Sequence, residues 1–256
     1  MNVIKVYGGL GNQFFQYALG RAQIANGIHV KFNFDWYKNS TNSYRPFVLD
    51  KFHTYLRSCK FLNQRNIYEG KIRNIDPTKV DCANFYGYWQ DPTYFESILS
   101  ILKEEFKLKP ECWDAQSWVE REEILENESV SLHVRHGDFI GKVNILPIQY
   151  YIDALKYTKG NVYIFSDDYE WCKTNFPNGA FGRSFNYVGE DCWRDFELMR
   201  LCKYNIIANS TFSWWAAMLN DNPDKVVIAP KQWRLTQQAQ DNMSNKFLRP
   251  NGWLIL

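Results

Sequence analysis

Strand-like and helix-like segments alternate through the second half of the chain, and this alternation is the feature that most restricts the possible folds. Strands are predicted at 130–134, 162–165, 205–208 and 226–229, and helices at 147–157, 169–174, 192–202 and 209–219. Parallel strands need long crossover connections, which these intervening helices would provide. The alternation therefore predicts an α/β fold with a parallel sheet covered by helices.

The first half begins with a strand, a helix and a second strand. The predicted elements are a strand over 3–7, a glycine-rich turn over 8–11, a helix over 12–25 and a strand over 29–34. Asn26-Gly27 is typical of a helix end, and Asp91-Pro92 is typical of a helix start. An apolar stripe over 94–106 predicts that this later helix continues.

A charged segment over 120–128 closes the first half as a helix that leads into a linker, so we divide the chain into 1–125 and 126–256. A length of 256 residues and a hydrophobic content of 45% allow two domains with a core in each. The region 36–80 is irregular and gives no assignment. The tail from residue 231 carries Trp233 and Trp253 and could pack back on the first half.

Composition excludes several classes of function. A net charge of +2 is too small for wholesale binding of nucleic acid or of a membrane surface. The opening strand is too short for a signal peptide, and no apolar run reaches the roughly 18 residues of a transmembrane helix. The six cysteines include no Cys-x-x-Cys pair. We therefore expect a cytoplasmic protein with reduced thiols.

Aromatic residues are unusually frequent, with 10 Trp, 16 Tyr and 18 Phe. One interpretation is a core and surface that simply favour rings. The other is that some of the rings are stacking platforms for the faces of sugars or bases.

Polar clusters follow three of the predicted strands in the second half, at 133–138, 166–168 and 209–213. The carboxyl ends of parallel strands meet at one edge of a sheet, and ligands bind just beyond that edge. Arg135 suits a phosphate or carboxylate there, because its planar fork can donate two parallel hydrogen bonds. The alternatives are that Arg135 forms a structural ion pair, with Asp138 as one neutralising partner, and that His133 is a satisfied core histidine.

The other two clusters also allow two interpretations. A carboxylate at Asp167 or Asp168 could accept hydrogen bonds from the N1–H and N2–H₂ edge of guanine, or it could cap the helix that follows. The segment 209–213 offers free amides at a helix start, which suit an anion. Its alternative is plain capping by the hydroxyl side chains.

The glycine-rich turn is neither a dinucleotide fingerprint nor a P-loop. Phe14 occupies the position of the third glycine of the fingerprint, and no Gly-Lys-Ser/Thr follows the turn. Asn12 and Gln13 instead offer neutral polar contacts that suit sugars. No Asp-x-Asp pair for a metal occurs in the chain, so a cation would have to come from the protein, and Arg135 is the candidate.

Five segments together resemble one enzyme family. The glycine-rich opening of 8–18 is similar to the signature of the bacterial α-1,2-fucosyltransferases, glycosyltransferase family 11, and 133–138 resembles the His-x-Arg-Arg-x-Asp motif that they share with α-1,6- and protein O-fucosyltransferases. Segments 87–90, 165–168 and 210–215 also fit this family, in the right order. The family's second arginine is His136 here.

This resemblance implies a GT-B fold, in which two Rossmann-like domains face each other across a cleft. Residues 1–125 would form the acceptor side, and 126–256 would bind GDP-fucose. The implied reaction moves L-fucose from GDP-β-L-fucose to the 2-hydroxyl of a galactose, with inversion and without a metal or other cofactor. The acceptor would be a lipopolysaccharide O-antigen or capsule precursor, whose lipid anchor allows a loose peripheral contact with the inner membrane.

The resemblance also implies roles for individual residues. Arg135 would contact the diphosphate and Asp167 the guanine edge, so that the two side chains grip opposite ends of one GDP. His133 would lie beside the nucleotide, and Asp138 is the candidate general base. The remaining implied contacts are Ser210, Thr211 and Ser213 for phosphate or ribose, and Gly9, Gly11, Asn12 and Gln13 for fucose and acceptor.

Two other functions compete with this interpretation. The first is a glycosyltransferase of the same fold that uses another nucleotide sugar. The second is a glycan-binding protein without enzymatic activity, whose aromatic residues stack on sugars. The second leaves the charged cluster at 133–138 without a purpose.

Overall fold

The computed structural model describes residues 1–38, 45–72, 75–137, 145–189, 191–233, 250 and 252–256. The chain divides into two compact units, Met1–Lys109 and Pro110–Leu256. Each unit is built on a parallel β-sheet. The predicted α/β class with parallel sheets is therefore confirmed.

The first unit holds a four-stranded sheet in the order β2-β1-β4-β3. Its elements are β1 (Asn2–Lys5), α1 (Leu10–Ala25), β2 (Val30–Asn33), β3 (Arg65–Tyr68), β4 (Ala83–Tyr86) and α2 (Leu99–Glu105). Helix α1 lies very close to this sheet at Gly20, where an added Cβ would come 2.7 Å from the ring of Phe32 and 3.1 Å from Ile4. Glycine at this position thus lets the helix pack against the buried face of the strands.

The helix predicted to start at Asp91 is broken into short pieces. Asp91 does cap the segment, because its carboxylate accepts a hydrogen bond from the Thr93 amide at 3.0 Å. Two 3₁₀ turns, Pro92–Tyr94 and Glu96–Ile98, then precede α2. The break falls at Phe95, whose φ of −137° and ψ of 7° are not helical.

The second unit holds a six-stranded sheet in the order β10-β9-β8-β5-β6-β7. Its strands are β5 (Ser129–Val134), β6 (Asn161–Ser166), β7 (Phe185–Tyr187), β8 (Tyr204–Ile206), β9 (Val226–Ala229) and β10 (Leu254–Ile255). Its helices are α3 (Ala115–Glu126), α4 (Ile148–Leu155), α5 (Tyr169–Asn175), α6 (Cys192–Leu201) and α7 (Thr211–Leu219). Every residue of β5 is buried, as expected for a strand covered on both faces.

The units divide at residues 109 and 110 rather than at 125 and 126, because the segment before β5 packs within the second unit. Arg194 of α6 lies 2.7 Å from Asp114, the residue that caps α3. The same guanidinium donates a hydrogen bond to the carbonyl of Cys112 at 3.0 Å. Helix α3 is therefore a part of the second unit.

The described part of the tail belongs to the second unit, and packing of the tail on the first half stays a prediction. Strand β10 pairs with β9, and the Trp253 ring lies 6.2 Å from that of Trp214 in α7. Trp233 accepts a hydrogen bond from Asn209 through its carbonyl. Across the described ranges, no helix combines the length and the apolar character needed to cross a bilayer.

Candidate active site

The loops that follow β5, β6 and β8 lie side by side, because β5 pairs with β6 on one side and with β8 on the other. These are the three strands for which the sequence predicted polar clusters. Contacts between the described residues join the first cluster to each of the others: His133, near the end of β5, lies 2.8 Å from Ser213 in the first turn of α7, and Arg135 lies 3.4 Å from Asp167. The three clusters therefore form one edge of the second sheet.

Two carboxylates, which we call the carboxylate clip, tie the loop after β5 to the loop after β6. Asp167 Oδ2 lies 3.4 Å from Arg135 Nε, and Asp167 Oδ1 accepts a hydrogen bond from the His136 amide at 2.9 Å. Asp168 Oδ2 lies 2.7 Å from His136 Nδ1, and Asp168 Oδ1 accepts a hydrogen bond from the Trp171 amide at 3.0 Å. These hydrogen bonds, first that of Trp171, hold the pKa of Asp168 below its usual range. The clip fixes the position of Arg135 relative to α5.

Arg135 is held from its backbone as well as from its side chain. The buried phenol of Tyr151 in α4 accepts a hydrogen bond from the Arg135 amide. Gly137 allows the close approach of the two loops, since an added Cβ would come 3.1 Å from the carbonyl oxygen of Asp167. Arg135 and Asp167 are thus neighbours in an ion pair, and binding of one GDP by these two side chains stays a prediction.

His136, which stands where the family motif has its second arginine, is built into the scaffold. Its ring stacks on Trp171 with the centroids 4.9 Å apart and the planes 22° apart. Its Nδ1 contacts Asp168, the N-cap residue of α5. Of the two roles predicted for Asp168, contact with guanine or capping of the following helix, the capping role is confirmed.

His133 is a buried and neutral residue beneath this edge. It is 3% exposed, its Nδ1 lies 2.8 Å from Ser213 Oγ, and its ring lies 5.5 Å from that of Phe212. Burial, and next the positive charge of Arg135, lower its pKa from 6.5 to about 3. This environment is that of a satisfied core histidine that supports the start of α7.

The burial of His133 predicts a loss of stability in acid. Between pH 6.5 and about 3 the unfolded chain binds a proton at His133 that the folded chain does not bind, so stability falls as the pH falls through this window. Acidification from pH 7 to pH 5 should cost about 2 kcal/mol through this group. Urea unfolding at both values should show a smaller acid loss for His133→Gln than for the wild type.

The control for this measurement is His53→Gln, which changes an exposed histidine of the first unit. It should keep the acid loss of the wild type. An equal acid loss in the His133→Gln and wild-type proteins would show that His133 is not held neutral by the fold.

The start of α7 is capped by its own side chains. The hydroxyl of Ser210 accepts a hydrogen bond from the Phe212 amide at 3.3 Å, and the hydroxyl of Ser213 donates one to the Ser210 carbonyl at 3.4 Å. The capping interpretation of 209–213 is therefore confirmed for Ser210. Binding of phosphate or ribose by Ser210, Thr211 and Ser213 stays a prediction.

The residues predicted in the glycine-rich turn lie in the first unit and differ in their surroundings. Gly9 is the N-cap residue of α1, and an added Cβ there would have no neighbour within 4 Å, whereas Gly11 is buried in the first helical turn. Asn12 accepts a hydrogen bond from Gln90 at 2.8 Å. Gln13 is wholly buried, and its amide bonds the backbone of residues 8, 46 and 48, so it holds the turn and is not exposed to a ligand.

Sequence reasoning missed Asp195 of α6. Burial, with the charges of Glu120 and Asp191, raises the pKa of its carboxyl well above the usual range. It lies at the same sheet edge, because a Cβ added to Gly189, just after β7, would come 3.0 Å from Asp195 Oδ2. An acid with a strongly perturbed pKa at a ligand-binding edge is a candidate site residue. The sequence offered little signal for this role, because Asp195 is one of two acids, with Glu197, in the helix predicted over 192–202. Asp138, the predicted general base, lies outside the described residues.

Comparison with known proteins gives the family of this chain. Residues 62–254 match the model of glycosyl transferase family 11. The chain is 34% identical to an α-1,2-colitosyltransferase of Escherichia coli over 90% of this chain and 91% of that protein. It is 33% identical to the O-antigen biosynthesis glycosyltransferase WbnK of Escherichia coli over 72% of this chain and 60% of that protein.

A solved structure shares the fold. The NodZ α-1,6-fucosyltransferase, in crystals soaked with GDP-fucose, superposes with a TM-score of 0.52 at 14% identity, over 88% of this chain and 96% of that one. The predicted resemblance to family 11 is confirmed by the family model and by the first of these relatives. Together with the edge built around Arg135, these matches show that the protein belongs to glycosyl transferase family 11.

Proposed function

We propose that the protein transfers L-fucose from GDP-β-L-fucose to the 2-hydroxyl of a galactose, with inversion at the anomeric carbon. The observation that carries this proposal is the arginine at the sheet edge, Arg135, held by Asp167 and by the Tyr151 phenol. A fixed guanidinium at that edge suits a nucleoside diphosphate. The α-1,2 linkage in the name of the colitosyltransferase relative and the GDP-fucose in the NodZ crystals support the same linkage and donor.

The chemical step breaks the bond between the fucose anomeric carbon and the β-phosphate oxygen. Negative charge then grows on GDP while the sugar becomes oxocarbenium-like. Groups that bind this charge more strongly in the transition state than in the ground state accelerate the step. Arg135 and the amides at the start of α7 would do so in this protein, and no metal would be required.

The new bond forms between the anomeric carbon and the acceptor oxygen, on the face opposite the leaving diphosphate. The proton of the acceptor hydroxyl must then pass to a base. We propose Asp138 for this role on the basis of the family motif alone. The implied GT-B arrangement, the cytoplasmic location and a lipid-linked O-antigen precursor as acceptor belong to the same proposal, which the O-antigen relative supports.

The ion pair changes the role we propose for Asp167. Its carboxylate already pairs with Arg135 and accepts the His136 amide, so we propose that it orients Arg135 and does not read the guanine edge. Asp167→Asn should weaken the binding of GDP and of IDP by the same factor, about 5- to 100-fold for a charge-assisted contact. Isothermal titration calorimetry with both nucleotides measures this.

IDP lacks the 2-amino group of guanine. Comparing the binding of GDP and IDP therefore distinguishes an Asp167 that orients Arg135 from one that contacts the guanine edge. If Asp167 reads the base, Asp167→Asn will weaken the binding of GDP more than that of IDP and so reduce the preference of the protein for GDP, because IDP keeps the N1–H group but has no 2-amino group to lose. The control is Asp153→Asn in α4, which removes an exposed carboxylate of the same unit and should change neither affinity.

Colitose is a second candidate for the transferred sugar, because the relative that matches most of this chain is named for it. Colitose is fucose without the 3-hydroxyl, so the two donors differ in one group. Purified protein should be assayed with GDP-fucose, GDP-colitose and a UDP-sugar, each with a β-galactoside acceptor and with EDTA present. Transfer from GDP-colitose alone would replace the proposed donor, and transfer from the UDP-sugar alone would reject a guanine nucleotide.

A further inference from the structure

A group of aromatic and amide side chains lies at the carboxyl edge of the sheet in the first unit. We call it the aromatic–amide cluster; its members are Tyr7, Asn12, Trp36, Tyr88 and Gln90. Tyr7 follows β1, Trp36 follows β2, and Tyr88 and Gln90 follow β4. These loops meet at one edge because the strands are parallel. The carboxyl edge of a parallel sheet is where ligands bind in α/β proteins.

The rings of the cluster contact each other and are only partly buried. The Tyr7 and Tyr88 centroids are 4.7 Å apart with the planes 30° apart, and Trp36 lies 6.4 Å from Tyr7. Gly8 has a φ of +85°, which favours glycine, and an added Cβ would come 3.0 Å from Asn12 Nδ2. The edge thus carries a group of partly exposed rings.

The loop that carries Tyr88 and Gln90 is strained and is held in place by hydrogen bonds to Glu69. Trp89 between them has a φ of +59°, an outlier for a bulky residue, and it is wholly buried. Glu69 accepts hydrogen bonds from the amides of Tyr88 at 2.8 Å and Gln90 at 3.2 Å. Strain of this kind persists where the surroundings enforce it, and it clusters at ligand sites.

Hydrogen-bonding groups border the rings. Gln90 donates through its side-chain amide to Asn12 at 2.8 Å. The Tyr7 hydroxyl has no hydrogen-bond partner among the residues that the structure describes, and burial raises the pKa of this phenol to about 12. It therefore stays a neutral group that can both donate and accept.

The members of the cluster are themselves uncharged, and this favours an uncharged ligand. The carboxylate of Glu69 is used by the two amides of the strained loop. The ammonium of Lys5 lies 5.2 Å from the Tyr7 ring centroid, as a cation–π contact. The edge of the second sheet, by contrast, presents the guanidinium of Arg135. Rings with neutral donors and acceptors suit a pyranose, which has apolar C–H faces and a rim of hydroxyls.

We propose that the aromatic–amide cluster binds a neutral pyranose of the acceptor. The sugar would contact the rings through its C–H groups, and its hydroxyls would bond the Asn12–Gln90 pair and the Tyr7 phenol. That this sugar is the acceptor rests on the proposed function, whereas binding of a saccharide does not.

The test uses three variants of the full chain. Tyr88→Ala removes one ring, and Tyr7→Phe removes only a hydroxyl. Tyr55→Ala is the control, because Tyr55 is a 56% exposed tyrosine of the same unit that lies beside Met1 and His29, at the opposite edge of the sheet. The probes are methyl β-galactoside in saturation-transfer NMR without donor, GDP in calorimetry, and the acceptor KM at saturating GDP-fucose.

Tyr88→Ala should weaken galactoside binding and raise the acceptor KM about tenfold, which corresponds to 1.4 kcal/mol. Tyr7→Phe should raise the acceptor KM about threefold to tenfold. Both variants should bind GDP within a factor of two of the wild type, and Tyr55→Ala should match the wild type throughout. If Tyr88→Ala unfolds by circular dichroism, Tyr7→Phe decides the result.

Two outcomes would overturn the proposal. One is an unchanged galactoside affinity and acceptor KM in both variants. The other is a fall in GDP affinity equal to the rise in acceptor KM, which would make the cluster a part of the donor site. If the wild type binds galactoside through the cluster but transfers no fucose, the saccharide site stands and the proposed reaction fails.

Discussion

Arg135→Ala should lower kcat for fucose transfer by about 10²–10³-fold, the loss typical of removing one preorganised donor from a developing anion. GDP affinity should fall about 10- to 100-fold, because charge-assisted hydrogen bonds to the diphosphate are lost. The reason is structural: Arg135 is the guanidinium that the carboxylate clip and Tyr151 hold at the sheet edge. Steady-state kinetics and calorimetry with GDP measure the two effects.

Two further variants make this result specific. Arg135→Lys keeps the charge but loses the planar fork, so it should recover only part of the activity. Arg57→Ala removes an exposed arginine of the first unit, which bonds Tyr55, and should behave as the wild type. Normal transfer and normal GDP binding by Arg135→Ala would show that the anion binds elsewhere.

Gly160→Ala should destabilise the second unit by roughly 2–5 kcal/mol, the sum of a left-handed backbone and an overpacked contact. Gly160 has a φ of +85°, and a Cβ there would overlap the backbone carbonyl of Glu128. That carbonyl accepts the Asn161 amide at 3.0 Å, where β6 begins beside β5. Neither backbone can move without disturbing the pairing of these strands.

Gly179→Ala is the matched control, because Gly179 has the same φ of +85° with no neighbour within 4 Å of an added Cβ. The free energy of unfolding of Gly179→Ala should fall only by the cost of the left-handed backbone conformation, about 1–2 kcal/mol. The difference between the two variants in urea unfolding isolates the overlap with Glu128. Equal losses would mean that the chain relieves the contact by a small shift.

Five of the six strands that the sequence predicted lie inside the sheets, and β2 is the exception at an edge. Strands β6 and β9 contain the continuous apolar runs 162–165 and 226–229, which suit strands buried on both faces. Strands β3, β7 and β10 were missed, and all three are edge strands of two to four residues. Strand β4, which lies inside the first sheet, was also missed; its buried Asn84 donates hydrogen bonds to the Leu62 carbonyl and to the Asn66 side chain.

The candidate site was predictable in its location but not in its pairings. The polar residues at the ends of three parallel strands indicated one common edge, and this is where Arg135, Asp167 and Ser213 lie. The sequence could not show that Asp167 pairs with Arg135. Asp138 was another candidate partner for Arg135, and Asp167 could equally have bound a base or capped the following helix. Burial of Gln13 depended on the path of residues 46 and 48, within a region that gave no assignment.

The uniformly parallel pairing has a consequence for how the second unit assembles. Strand β5 must meet β8, with Val130 beside Tyr204, and no hairpin brings these segments together. Contacts between segments so far apart in sequence slow the search for the native topology. Until β8 pairs with it, β5 exposes an unpaired edge whose residues are all buried in the native sheet. Partly folded chains with such an exposed strand edge are prone to aggregate. Changes that delay β8 should therefore reduce the yield of native protein even where they leave the chemistry intact.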